Sequence, residues 1–142
     1  MHDLQGSTLN PYIMFDGNCS EAMNFYKEAL NGELEITPYK GSPIEVPDSY
    51  KDKILHARLT FGNAVLMAAD GIPGQKSKFG HSIHLSISTK DLAEAELYFN
   101  NLVEGGTITM PFDETFWGAT FGMLTDKFGV NWMVSCELPK PE

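Results

Sequence analysis

Five side chains have types that could do chemistry: His56, Arg58, His84, Glu114 and Trp117. An imidazole can move a proton or ligate a metal, a guanidinium fork matches a carboxylate or phosphate, and a glutamate can accept a proton. An indole adds a flat apolar wall with one N–H donor. His56 and Arg58 are two apart and share one face if that segment is a strand. Arg58 either binds an anionic ligand or pairs internally with Glu114 or Glu45, and Trp117 is either a pocket wall or a dimer anchor. Of the remaining histidines, His2 lies in the first residues, and His81, three before His84, faces the opposite side of a strand from it. His56 and His84 without a carboxylate make an incomplete metal site. Cys19 and Cys136 cannot build a disulfide framework, and neither sits in a C-x-x-C pair. Both read as buried thiols, with a reactive Cys19 at a helix start as the alternative.

Two helices must position these groups. Asn18 serves as N-cap with Glu21 three residues on, Ala22, Phe25, Tyr26, Ala29 and Leu30 form an apolar stripe, and Gly32 closes the segment. Asp91 and Glu94 form the second capping box, Leu92, Ala95, Phe99 and Leu102 or Val103 the stripe, and Gly105-Gly106 the end. The spacing predicts helices near residues 18–31 and 91–104. Both belong to a repeat at an offset of 73 residues, which relates Glu21-Ala22 to Glu94-Ala95, Phe25-Tyr26 to Tyr98-Phe99, Gly32 to Gly105 and Pro38-Tyr39 to Pro111-Phe112.

Strand-like runs precede each helix (Leu9 to Phe15, Ser82 to Ser88) and follow it (Glu33 to Thr37, Thr107 to Met110). Each copy then ends in a hairpin: Ile54 to Phe61 with Ala64 to Ala68, and Ala119 to Thr125 with Val130 to Cys136. The polar stretch from Lys40 to Lys53 is an extra-long loop in the first copy. The fold class is α+β, a single domain over 1–142 of two βαβββ modules (about 8–69 and 80–137) forming a curved mixed sheet.

Alternation within the strands predicts an apolar face under each helix and a polar concave face. Leu55, Ala57, Leu59 and Phe61 oppose His56, Arg58 and Thr60. Ile83, Leu85 and Ile87 oppose Ser82, His84, Ser86 and Ser88. Val130, Trp132 and Val134 oppose Asn131, Met133 and Ser135. The polar sets are too hydrophilic for a second core, so the concavity is a candidate pocket.

Ten basic residues scattered among nineteen acidic ones give a charge of −9, which excludes phosphate-backbone binding and so nucleic acid as a partner. No apolar run approaches the ~20 residues of a membrane helix. The first seven residues lack the basic start and apolar core of a signal peptide, so no membrane partner is expected and the cytoplasm is the expected location.

Phe15-Asp16-Gly17-Asn18-Cys19, Phe25-Tyr26, His56-Ala57-Arg58-Leu59, Glu114-Thr115-Phe116-Trp117-Gly118 and the run from Gly122 to Val130 with Trp132-Met133 resemble one branch of the vicinal oxygen chelate superfamily. This is the superfamily of glyoxalases, bleomycin-resistance proteins and dioxygenases. The branch is the phosphonate-operon-associated (PhnB-like), demethylubiquinone methyltransferase-like one, and the likeness runs from about Tyr12 to Glu137. The resemblance implies metal ligands near Pro11, Met67, Ser82 and Met133, none of which suits a hard or borderline divalent ion. It also implies a basic residue where Thr120 stands. Methyl transfer from S-adenosylmethionine usually uses a glycine-rich turn in a doubly wound sheet, and the sequence has none, so the methyltransferase name is not followed. The expected function is metal-independent binding of a small molecule, with no cofactor, by a homodimer in which His56, Arg58, His84 and Trp117 line the pocket and Glu114 lies nearby. The alternatives are a metal-dependent lyase, isomerase or dioxygenase-type enzyme acting on a small oxygen-rich substrate, and a protein that sequesters an antibiotic.

Overall fold

A computed structural model describes residues 7–74 and 76–137. The chain divides into two compact units: residues up to Lys27 with Asn31 to Ser77, and Glu28–Leu30 with the residues from Lys78 on. Two βαβββ modules follow one another in sequence. The first runs β1 (Tyr12–Phe15), α1 (Cys19–Leu30), β2 (Glu33–Pro38), β3 (Ile54–Phe61) and β4 (Ala64–Asp70); the second runs β5 (Leu85–Thr89), α2 (Leu92–Val103), β6 (Thr107–Glu114), β7 (Ala119–Thr125) and β8 (Asn131–Glu137). Both helices occupy the predicted windows less their capping residues.

Each module closes its own four-stranded mixed sheet, in the orders β1-β4-β3-β2 and β5-β8-β7-β6. The first strand of each runs parallel to the last, and the other pairings are antiparallel. Because β6 is an edge strand, Pro111 costs it no ladder bond, and the strand continues past Met110 to Glu114 through two register shifts. The stretch between β2 and β3 is tied down. It holds one 3-10 turn (Asp48–Tyr50), the Tyr39 hydroxyl donates to the Asp70 carbonyl at 2.8 Å, the Tyr50 hydroxyl donates to the Gly71 carbonyl, and Lys53 Nζ donates to the Gly17 carbonyl at 2.8 Å.

The alternation holds where the strands are central. In the first unit Ala57, Leu59, Leu66 and Ala68 are buried, as are Ile13 and Phe15. In the second, Trp132, Val134, Leu124 and Ile87 are buried, and α2 adds Ala95, Phe99 and Leu102. Phe99 stacks on Phe112 with centroids 5.3 Å apart, and it lies so close to Gly122 that a Cβ there would meet a Phe99 ring carbon at 2.7 Å and the Phe112 Cα at 2.8 Å. Glycine is the residue that lets this helix approach its sheet.

Four expectations need correction. Ile83 is 74% exposed rather than packed under the helix, because β5 begins only at Leu85. Asn131 does not line an open face: it is buried, its side-chain amide donates to the Gly80 and Ile83 carbonyls at 2.7 and 3.3 Å, and its oxygen accepts from the Thr125 hydroxyl at 2.8 Å. That amide ties down the carbonyls just ahead of β5. Asn18 makes no side-chain cap on α1. Finally, the left-handed residue ending α1 is Asn31 (φ 54°), and Gly32 is needed for space instead, since a Cβ would stand 2.8 Å from the Thr60 carbonyl oxygen.

Candidate functional site

Residues directly paired across a sheet point to the same side, so the registers define the face turned away from each buried core. In the first sheet Tyr12, Met67, Arg58 and Glu35 stand in one row on β1, β4, β3 and β2. In the next row His56 stands opposite Thr37, and Met14 opposite Ala69. His56 and Arg58 therefore share the open face, as their spacing predicts. Tyr12, which the sequence reading passed over, joins them: its hydroxyl lies 3.3 Å from His56 Nδ1, with the two rings 5.9 Å apart and inclined at 41°. Partial burial pushes the Tyr12 phenol above its usual pKa of 10.0, reinforced by Cys19 and Tyr39. The signal was present in β1, where Tyr12 and Met14 alternate with the buried Ile13 and Phe15.

The open face of the second sheet is different. Ser86, Met133, Met123 and Met110 form one row, and Ser88, Ser135, Phe121 and Asp113 the next. Trp117, in the turn between β6 and β7, packs edge-on against Phe121 (5.9 Å) and against Phe116 (5.0 Å) and is 56% exposed. His84 is half-buried just ahead of β5. Glu114 ends β6, exposed, in register with Thr120. The structure places His56 and Arg58 in the first unit and His84, Glu114 and Trp117 in the second. Thr120 is buried and paired with Cys136, on the side of Gly122 and α2 rather than the open side. A basic side chain there would face the core.

Two buried aspartates, also missed in the sequence, are structural. Asp70 Oδ1 accepts from the Gly17 and Cys19 amides at 2.8 and 2.9 Å, and its Oδ2 from the Ile54 amide at 2.8 Å. Asp126 accepts from the Phe128 and Val130 amides at 2.8 and 3.0 Å and from Trp132 Nε1 at 2.8 Å. Burial, with the Asp70 carboxylate second, pushes the Cys19 thiol from its ordinary 9.0 up to about 12. Burial thus disfavours the Cys19 thiolate, although the residue begins a helix.

A family model described as 3-demethylubiquinone-9 3-methyltransferase matches residues 7–135. The chain belongs to this family. Protein YjdN of Escherichia coli (strain K12) is 34% identical, over 94% of this chain and 97% of its own length. The crystal structure of PA1353 from Pseudomonas aeruginosa superposes with a TM-score of 0.85 at 46% identity, covering 94% of this chain and all of that one. A PhnB protein from Bacillus cereus gives 0.75 at 26% identity over 94% and all of the respective chains. At 12% identity, a glyoxylase/bleomycin resistance protein/dioxygenase domain from Frankia sp. EAN1pec shares the fold, with a TM-score of 0.66 over 93% of this chain and 98% of its own. The PhnB-like branch and the glyoxalase-like fold expected from the motifs are both what the comparisons find.

The resemblance implies divalent-metal ligands near Pro11, Met67, Ser82 and Met133, and that donor set does not fit such an ion. Pro11 has no side-chain donor, Met67 and Met133 offer soft thioethers, and Ser82 offers a neutral hydroxyl. Among the described residues no three His, Cys, Asp or Glu side chains group to hold an ion, and no helix is long and apolar enough to cross a membrane.

Proposed function

We propose that this PhnB-like protein binds a small molecule without a metal, on the open faces of its sheets. His56 and Arg58 supply polar contacts on the first, and His84 and Trp117 supply contacts on the second; Glu114, in register with the core-side Thr120, lies nearby at the end of β6. One observation carries this reading. In each sheet one face carries the buried apolar side chains, and the other carries a half-buried imidazole with exposed guanidinium, hydroxyl, thioether and indole groups, a mixture suited to a ligand and unsuited to a core. Neither sheet is doubly wound, and the glycine-rich strand-to-helix turn that commonly holds S-adenosylmethionine has no counterpart among the described residues. The methyltransferase name of the family therefore does not guide the proposal.

Exposed apolar side chains run along edge strand β6 and its turn: Ile108, Met110, Phe116 and Trp117 are 50%, 43%, 97% and 56% accessible. Such a run suits a second copy of the chain, and we assign the working form as a homodimer burying more than about 1,200 Å². A second reading, sequestration of a flat apolar compound, draws on Trp117 against Phe121 beside the methionine row, because thioethers and aromatic edges adapt to ring systems. The test is native mass spectrometry and sedimentation of metal-stripped protein before and after addition of uncharged 1-naphthol. The reading expects about twice the chain mass, retained naphthol binding without metal, and loss of one or both in Trp117→Ala. A monomer whose naphthol binding survives that substitution, or binding that appears only with added metal, overturns it.

A further inference from the structure

We propose that the open face of the first sheet grips an oxyanion, the carboxylate or phosphoryl end of the ligand, between His56 Nε2–H and the Arg58 guanidinium. Tyr12 is the positioning residue that sets the imidazole tautomer. This deepens the small-molecule reading above and rests on it. Three strands build the arrangement. β1 carries Tyr12, β4 places Met67 between Tyr12 and Arg58, and β3 carries His56 and Arg58 two residues apart on one side. The Tyr12 hydroxyl is 3.3 Å from His56 Nδ1. A phenol is a strong donor and a weak acceptor, whereas a neutral imidazole offers one acceptor nitrogen. The pairing therefore runs from the phenol to Nδ1, which leaves the ring proton on Nε2, directed away from Tyr12. A fixed N–H beside a cationic fork matches an anion's oxygens, and charge-assisted donors of this kind give the stronger hydrogen bonds.

The neighbouring strand supplies the competitor. Glu35 stands in register with Arg58 across β2 and β3, and Glu33 lies on the same face one step further along. Arg58 has no hydrogen bond or ion pair among the described residues, so its guanidinium is not committed to either carboxylate. In a protein of charge −9, an arginine left open beside a tautomer-fixed histidine is a local attractor for an anion within a repelling field.

The experiment is ¹⁵N NMR of imidazole-labelled full-length protein, titrated separately with acetate and with inorganic phosphate. Wild-type His56 is expected as the Nε2–H tautomer, and Tyr12→Phe as a mixture with about threefold weaker anion binding. Arg58→Met should weaken binding by at least about tenfold, with Arg58→Lys between. Glu35→Gln should tighten it. Response to acetate alone marks a carboxylate ligand, and response to phosphate alone marks a phosphoryl one. An Nδ1–H tautomer in the wild type, or anion affinity unchanged in Arg58→Met, overturns the proposal. Naphthol binding retained by that same variant shows the broader reading surviving without it, whereas anion binding by metal-stripped protein whose naphthol binding appears only with added metal shows the reverse.

Discussion

The two modules start their helices by different means. In the second, Asp91 accepts from the Glu94 amide at 3.2 Å, and Thr89 ties back to Glu94 at 3.2 Å, so every partner lies within five residues. In the first, the residue at the same place, Asn18, caps nothing, and the start of α1 is held by Asp70, 51 residues beyond Cys19. Asp70 also accepts from Gly17 and Ile54, joining the end of β4 to the start of α1 and the start of β3. A local cap stabilises a helix. A buried carboxylate reaching three segments makes one helix end conditional on the folding of its whole module. The second module has a buried carboxylate of its own, Asp126, but uses it on the β7–β8 turn and on Trp132. The same architecture thus places its costliest polar group at the helix in one copy and at the hairpin in the other.

The largest expected effect tests that contrast directly. Asp70→Ala leaves three amides without a partner, two buried and one part-buried, each worth about 1–3 kcal/mol, and should cost about 3–5 kcal/mol in urea unfolding. Asp70→Asn keeps an acceptor for Gly17 and Cys19 but turns a donor toward Ile54, and should fall between Ala and the wild type. A loss under about 1 kcal/mol for Asp70→Ala would mean that α1 is held some other way.

Asp126→Ala comes next, at about 2–3 kcal/mol, because its turn lies nearer solvent and water can replace part of what is lost. Trp132 is 2% exposed, and losing the acceptor of its indole N–H should shift its emission to the red before global unfolding. Unchanged emission would separate the carboxylate from the packing of Trp132. Asp91→Ala should cost only about 1 kcal/mol, as local caps do. If Asp70→Ala and Asp91→Ala prove equal, the distinction between the two helix starts fails.

The contrast also explains what the sequence could reveal. Both helix windows, the two hairpins and the shared face of His56 and Arg58 follow from short-range periodicity, which depends only on residues a few positions apart. Asp91 and Glu94 were legible as a box for the same reason. Asn18 and Glu21 show the identical pattern, yet the Asn18 side chain makes no cap bond, because a better acceptor arrives from β4. Asp70 ends an apolar run, Ala64 to Ala69, and read locally it is merely the polar residue that closes a strand. Its burial among three amides is set by segments up to 53 residues away, beyond any spacing rule. Tyr12 was half legible: the β1 alternation gives its face, but its meeting with His56, 44 residues on, required the pairing of β1 with β4 and of β4 with β3. Asn131 misled because its alternation is correct in period, while its amide is spent on the carbonyls ahead of β5.

The smallest effect at neutral pH, and the most selective, concerns the thiol beneath that long-range cap. Burial first, and the Asp70 carboxylate second, hold the Cys19 pKa at about 12 against an ordinary 9.0. The folded state therefore favours the protonated thiol. The stability this contributes is fully present below pH 9 and is lost as the pH rises from 9 through about 12. Tyr39 and Tyr50, raised by burial and then by Asp70, push in the same direction at alkaline pH, so Cys19→Ala should remove only part of the alkaline slope while leaving stability near pH 7 almost unchanged. The same shift lowers the thiolate population at pH 8 by about a thousandfold, and alkylation by iodoacetamide should slow by at least that much relative to urea-unfolded protein. Alkylation of Cys19 in the folded protein at the rate of a free thiol would show that α1 opens locally, and that the Asp70 cap is weaker than its three hydrogen bonds suggest. In the Asp70→Ala variant the protection should fall, because the carboxylate that closes the site is gone and the helix start opens more often; the rise in rate then reads the strength of the cap without unfolding the protein.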